Sequence, residues 1–200
     1  MLFRSLSFIG SLAASAAAQA AFAVSYAQLF SLITWTGLGL MSATAAVAGQ
    51  NLGARHPDRA EHAVAVAARI ALGGAAFIGL FFFFMPAQLL GIFGMNDPEV
   101  VEIGTHLLRV LSVSGLLIAV ALTYTGGLQG TGDTKSPLYI AIVSNVIVPL
   151  GICFVMRSIG TLQPIHIWIA ILVGHATRCT LSMVRFKQGR WRNIEVGLSH

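Results

Sequence analysis

Long uncharged stretches dominate the chain, and short charged clusters separate them. No Asp, Glu, Lys or Arg stands between Arg4 and Arg55, Arg69 and Asp97, Arg109 and Asp133, Lys135 and Arg157, or Arg157 and Arg178. Each gap accommodates a membrane-spanning helix, which needs roughly 20 apolar residues. The first gap runs for 50 residues. At about 1.5 Å per residue that is too much helix for one hydrocarbon core of about 30 Å, so the pattern predicts two spans there. The polar break at Ser25-Tyr26 with Gln28 is the natural turn between them. The predicted helices are Leu6 to Val24, Gln28 to Ala48, Ala63 to Met85, Leu107 to Leu128, Leu138 to Met156 and Ile165 to Met183. They make one all-α, polytopic six-helix bundle over residues 1–186, with a basic tail over 187–200.

Proline placement supports this division. Pro57, Pro98, Pro137 and Pro164 stand at or just ahead of the last four helices. Proline suits the first turn, where its missing N–H is not needed. Asp97 and Ser136 are predicted to cap two of these helices, and Glu99 and Glu102 sit favourably in the turns beyond Asp97.

Composition agrees with a membrane protein: 56% of residues are hydrophobic, 10% are charged, and mean hydropathy is +0.80. A soluble domain carries about 25% charged residues. The net charge of +5 would be compatible with nucleic acid, but four of the twelve basic residues, Arg185, Lys187, Arg190 and Arg192, directly follow the last span. A membrane-surface anchor explains them better than nucleic acid. With six spans, one face holds Arg4, Arg55, Arg59, Lys135 and that cluster, and the other holds Arg157 near the acidic Asp97, Glu99 and Glu102. The lysine and arginine excess marks the cytoplasmic side, which predicts a cell (inner) membrane protein with both termini cytoplasmic. A rival reading treats "MLFR" and the small residues of "AAAQA" as a signal peptide cleaved after Ala20, leaving five spans. The distribution of positive charge favours six. Cys153 and Cys179 fall in separate spans, so neither a disulfide framework nor a paired metal motif is indicated.

The run "TGGLQGTGDTKSP", Thr125 to Pro137, has the look of a phosphate cradle. Gly127 and Gly132 have P-loop spacing, but Asp133 stands where the lysine belongs and would repel phosphate. The dinucleotide fingerprint fails too, because Lys135 takes the place of its third glycine. Gly126 to Asp133 is instead predicted to be a tight cytoplasmic turn. No Ser–His–carboxylate set, CxxC or HExxH is present, so nothing in the sequence supports an enzyme.

Three motifs in order, "AVAGQNLGARHPDRAEHAV", "GGLQGTGDTKSP" and "GHATRCTLSMVRFKQGRW", resemble the second half of the multidrug and toxic compound extrusion family. The resemblance implies the C-terminal six-helix bundle of a twelve-helix transporter. It implies export of bulky, often cationic organic molecules against inward flow of protons or sodium ions, with no other cofactor. The partners it implies are the lipid bilayer and either the missing N-terminal half or a second copy. Some members carry acidic residues in the first and fourth helices of this bundle to help bind the coupling ion. Here neither Leu6 to Val24 nor Leu107 to Leu128 contains one. A lipid-linked sugar flippase and a non-transporting membrane subunit are the alternatives.

Seven residues are candidates for a substrate or ion pathway: Tyr26, Gln28, Trp35, Arg109, Tyr124, Asn145 and His175. Tyr26 and Gln28 also suit an outer interfacial belt. Arg109 is either an interfacial anchor or a cavity-facing charge, and Arg178 near the cytoplasmic end of the last helix is read as an anchor. Pro149 removes the helix bond to Asn145, which predicts a kink and leaves Asn145 as cavity lining or interhelical glue. His175 lies well inside a span, where it serves either packing or proton transfer.

Overall fold

The computed structural model describes residues 15–158, 160 and 164–193, which are almost entirely helical. The first rod, α1, is α-helical over Ser15–Phe22, π-helical over Ala23–Leu29 and α-helical again over Phe30–Gly53. Then follow α2 (Pro57–Phe84), the short α3 (Pro86–Ile92) and α4 (Pro98–Gly130). The next rod, α5, joins Lys135–Ile142, a π-helical turn at Val143–Ile147 and Val148–Ser158. After α6 (Pro164–Lys187) comes a 3-10 turn, Arg190–Asn193.

Residues predicted to form the first turn do not turn. Ser25, Tyr26 and Gln28 lie in the π-helical part of α1, where one extra residue per turn is absorbed without reversing the chain. Buried Ala18, Ala21 and Phe22 hold the segment before it against the rest of the bundle, and this segment packs on α4. Tertiary packing therefore outweighs three weak polar signals. The membrane-length segment Ala16–Gly53 has 38 residues, about 57 Å of helix, and reaches past one hydrocarbon core. Residues 6–14 of the predicted first span lie outside the described residues. Among the described residues five helices are long and apolar enough to cross a membrane, and the last four overlap the last four predicted spans, with Met85 one residue past the end of its helix.

Side-chain register gives the direction of each rod. Ile33 sits beside Gly115, Leu122 beside Gly37, Met41 beside Gly126 and Ala45 beside Gly130, so α1 and α4 run parallel. The pairs Ser114 with His175 and Gly127 with Phe186 show that α6 runs the same way. α2 runs opposite to α4, with Gly79 beside Ser112 and Val64 beside Gly127. α5 runs opposite to α6, with Asp133 just ahead of it beside Arg185 and Ser144 beside Gly174. With α1 a single crossing, the described residues begin on one face and end on the other. Arg55, Arg59, Lys135, Arg185, Lys187, Arg190 and Arg192 still share the face where α1, α4 and α6 end, with Arg157 opposite.

The glycine run is mostly helix, not turn. Thr125 to Gly130 complete α4, and only Gly132, at φ 90°, uses the left-handed backbone that glycine permits. Gly126 and Gly130 instead lie one turn apart on the face that meets α1. A methyl group on Gly126 would overlap the carbonyl oxygen of Met41, and one on Gly130 that of Ala45. From the other side, a Cβ on Gly49 would lie 2.7 Å from the carbonyl oxygen of Gly130. Small residues here let two helix backbones touch.

Asp97 caps α4 as expected, its Oδ1 accepting from the N–H groups of Glu99 (2.9 Å) and Val100 (3.4 Å). At α5 the capping residue is Asp133, not Ser136: its carboxylate accepts from Ser136 N (3.1 Å) and Ser136 Oγ (2.8 Å). Asp133 also receives Arg185 Nε at 2.9 Å. Burial by itself would raise the Asp133 carboxyl pKa, but the Ser136 donors and the Arg185 guanidinium outweigh it and hold the group below the usual carboxylate range.

Part of the predicted basic tail is folded back. Trp191 is 1% exposed, stacks on Phe186 at 4.9 Å and donates its indole N–H to the Phe186 carbonyl at 2.8 Å. Around it pack Ala48, Ala60, Val64 and Leu128, which ties the ends of α1, α2, α4 and α6 together. Arg192 pairs with Asp58 at 3.2 Å and with Glu61.

Candidate functional site

A buried polar contact joins two helices in the middle of the bundle. Ser114 is the midpoint of α4 and fully buried, and its Oγ shares a hydrogen bond with Nδ1 of His175, which is 3% exposed at the middle of α6. In an apolar core each group satisfies the other, which lowers the cost of keeping both dry. The imidazole also stacks on Phe30 at 5.7 Å. Phe30 stacks on Tyr26 at 5.3 Å, and Tyr26 on Phe22 at 5.0 Å. An aromatic column thus runs along α1 and ends on His175. The π-helical part of α1 positions Tyr26 within it.

α6 can approach so closely because Gly174 lies over the π-helical turn of α5. A Cβ there would be 2.6 Å from the Ser144 carbonyl and 3.1 Å from Pro149 Cγ. The irregularity expected ahead of Pro149 is present as the Val143–Ile147 π-turn, which contains half-buried Asn145. Ser144 Oγ donates to the Ile140 carbonyl at 2.6 Å, and Ser144 is itself fully buried. Pro149 and Gly174 therefore act together: one loosens the α5 backbone and the other lets α6 sit against it.

The other candidates do not converge on this centre. Gln28 is exposed on α1, and Trp35 is 72% exposed. Arg109 is exposed, with its guanidinium 5.9 Å from the centre of the Phe83 ring, which fits the anchor reading. Tyr124 packs edge-on to Phe186 at 5.6 Å, next to the Trp191 cluster at the other end of the bundle. Of the seven, only Tyr26 and His175 share a structure, and Phe30 links them.

Ser114 and Phe30 were missed because a serine or phenylalanine in an apolar run carries no signal of its own. Helical spacing from buried Leu107, Leu111 and Ile118 places Ser114 on the inward face, and that was the available clue. Also unforeseen was a groove of about 420 Å³ between α1, α2 and α4, lined by residues such as Ile33, Thr36, Leu40, Ile70 and Ile78. Its wall is apolar, with Thr36 as the polar exception.

The described carboxylates all lie at helix ends. Asp58 and Glu61 pair with Arg192, Asp97 caps α4, Glu99 and Glu102 are exposed in its first turns, and Asp133 pairs with Arg185. Among the described residues no group of three or more His, Cys, Asp or Glu is placed to hold a metal ion.

One expected result tests the centre. Replacing Ser114 by Ala leaves a ring nitrogen of His175 without its partner in a dry site, and is expected to cost about 2 kcal/mol. Thermal unfolding in detergent measures this. An S114A protein as stable as the parent would mean that the hydrogen bond contributes nothing.

With this geometry in place, comparison with known sequences decides the family. The sequence model of the MatE family matches residues 1–155. The chain belongs to the MatE family. Among its relatives is "Probable multidrug resistance protein NorM" of Thermotoga maritima, 29% identical over 119 residues, or 60% of this chain and 25% of that protein. NorM of Brucella suis is 26% identical over 181 residues, covering 86% of this chain and 37% of that one. Multidrug export protein MepA of Staphylococcus saprophyticus is 34% identical over 95 residues, covering 48% and 20%. The fold is that of the crystal structure of the eukaryotic MATE transporter AtDTX14, with a TM-score of 0.82 at 20% identity, covering 94% of this chain and 42% of that one. This MatE chain therefore spans well under half the length of the relatives it matches.

Proposed function

We propose that this chain is the C-terminal part of an antiporter that exports drugs and toxic organic compounds in exchange for inward protons or sodium ions, and that it does not transport alone. The observation that carries the reading is the placement of acids. The described helices are arranged as in a MATE transporter, yet their carboxylates sit at helix ends and none reaches the middle of a span. A coupling cation needs a desolvated carboxylate that changes its occupancy during the cycle. A second helical bundle of different sequence, from a longer chain or a partner, supplies it, and substrate binds between the two. The apolar groove between α1, α2 and α4 suits the organic part of such a molecule.

The lysine and arginine excess supports a cytoplasmic position for the ends of α1, α4 and α6, in a cell whose inner membrane holds the protein. Cells expressing the chain alone and loaded with a fluorescent cationic dye provide the test. Dye accumulation is expected to match that of cells without it, and an alkaline phosphatase fused after His200 is expected to be inactive. Reduced accumulation that depends on a proton or sodium gradient would sink the requirement for a second bundle.

A further inference from the structure

At the basic end of the bundle Arg185 pairs with Asp133 and Arg192 with Asp58 and Glu61, while Arg55, Arg59 and Arg190 are exposed to solvent. Arg178 differs. It lies nine residues before the end of α6 and is partly buried, and among the described residues no hydrogen bond or ion pair holds its guanidinium. A charge withdrawn from water without a partner is costly, and the cost falls if a ligand supplies the counter-charge.

Arg178 lines a pocket of about 480 Å³ between the end of α4, the start of α5 and α6. A second cation, Lys135, stands at the same pocket, with the buried Thr125 and with Gln129 as neutral hydrogen-bonding groups. Among the described residues no carboxylate lines it. Asp133, two residues from Lys135, has its oxygens taken by Ser136 and Arg185, so its charge is already balanced. Thr134 adds a further neutral hydroxyl, and the rest of the wall is apolar: Pro137, Leu138, 58% exposed, and Ala141 belong to the first turns of the α5 span, where the bundle meets lipid. Two cations with neutral donors suit an anion with several oxygens. An apolar wall continuous with the lipid-facing surface suits an anion that carries acyl chains.

We propose that this pocket binds the phosphate group of an anionic molecule, with a phospholipid headgroup of the adjoining leaflet as its source. The lipid phosphate takes the place of a protein counter-ion for Arg178 and holds the junction of α4, α5 and α6 at the membrane surface. Lys135 adds charge from the rim.

The test uses the full 200-residue chain in neutral detergent, titrated with phosphatidylglycerol, phosphatidylcholine or inorganic phosphate, with bound ligand counted by native mass spectrometry. Phosphatidylglycerol is expected to bind in preference to phosphatidylcholine. Arg178→Gln and Lys135→Gln are each expected to weaken it about fivefold, and Arg157→Gln, on the opposite face, to leave it unchanged. Lys135 is exposed, so K135Q keeps the test open if R178Q does not fold. Inorganic phosphate that binds with the same dependence on Arg178 and Lys135 would support the phosphate chemistry and assign a soluble source. Equal binding of the two lipids, or phosphatidylglycerol binding indifferent to both substitutions, would overturn the proposal.

Discussion

Gly130→Ala is expected to unfold the bundle at a temperature far below that of the parent, because the smallest possible side chain already has nowhere to go. Its methyl group would overlap the Ala45 carbonyl, a main-chain atom that cannot rotate away as a flexible side chain would. Ordinary overpacking costs about 1–3 kcal/mol. Here two rods must separate along a seam that also includes Gly126 against Met41 and Gly49 against Gly130, so about 4 kcal/mol is expected. Gly73→Ala is the control, since nothing lies within 4 Å of the point where its Cβ would stand and alanine favours the helix by about 1 kcal/mol. Thermal unfolding of both proteins in one detergent gives the comparison. Equal midpoints would mean that α1 and α4 do not cross as closely as described.

Asp133→Ala is expected to be the second most damaging change, at about 3 kcal/mol. It removes the cap of α5 and leaves Arg185 without the carboxylate 2.9 Å away. Breaking a buried ion pair by deleting one partner costs about 3–5 kcal/mol, and the 27% exposure of Arg185 lets water recover part of that. A double-mutant cycle with Arg185→Ala separates pair from cap: the pair appears as coupling and the cap as the remainder.

The pH dependence of this contribution has a definite sign. Asp133 titrates below the ordinary carboxylate range in the folded protein, so its stabilisation is complete above the unfolded value of about 3.9. It is lost as pH falls through the lower folded value. Between about pH 7 and 5 the difference between parent and D133A is therefore expected to stay constant, and to shrink only in stronger acid. A difference that stayed constant even in strong acid would place the carboxyl in an ordinary, unpaired environment.

The sequence showed the spans from α2 onward because a helix in lipid must satisfy its own backbone, and that demands uninterrupted apolar length. Charge gaps, Pro57 and Pro98, and the Asp97 cap are local features, and they mark helix ends without reference to neighbours. Ser25, Tyr26 and Gln28 behave differently. Three polar side chains suggest a turn when read locally, but whether a helix stops also depends on what packs against the residues before it. Ala18, Ala21 and Phe22 are buried, and the π-helical turn lets the rod continue.

At the candidate site, His175 was legible as an unusual residue in a span, but its partners were not. Ser114 is 61 positions away, and Phe30 comes from a third rod. The glycines of "GGLQGTGDTKSP" gave the opposite error. Their spacing is compatible with a turn and with a helix face, and only the arrival of the α1 backbone distinguishes the two.

By itself, then, the sequence determined an all-α membrane protein, its long apolar segments and the face that carries the basic residues. These follow from hydropathy, backbone satisfaction and charge, which act along the chain. Only the tertiary structure decided that α1 runs unbroken past Tyr26, that Gly126 and Gly130 join helices, that Asp133 belongs to Arg185 and that Arg178 has no such partner among the described residues. Each of those depends on how residues far apart in sequence are brought together, and close packing of separate rods is what does so.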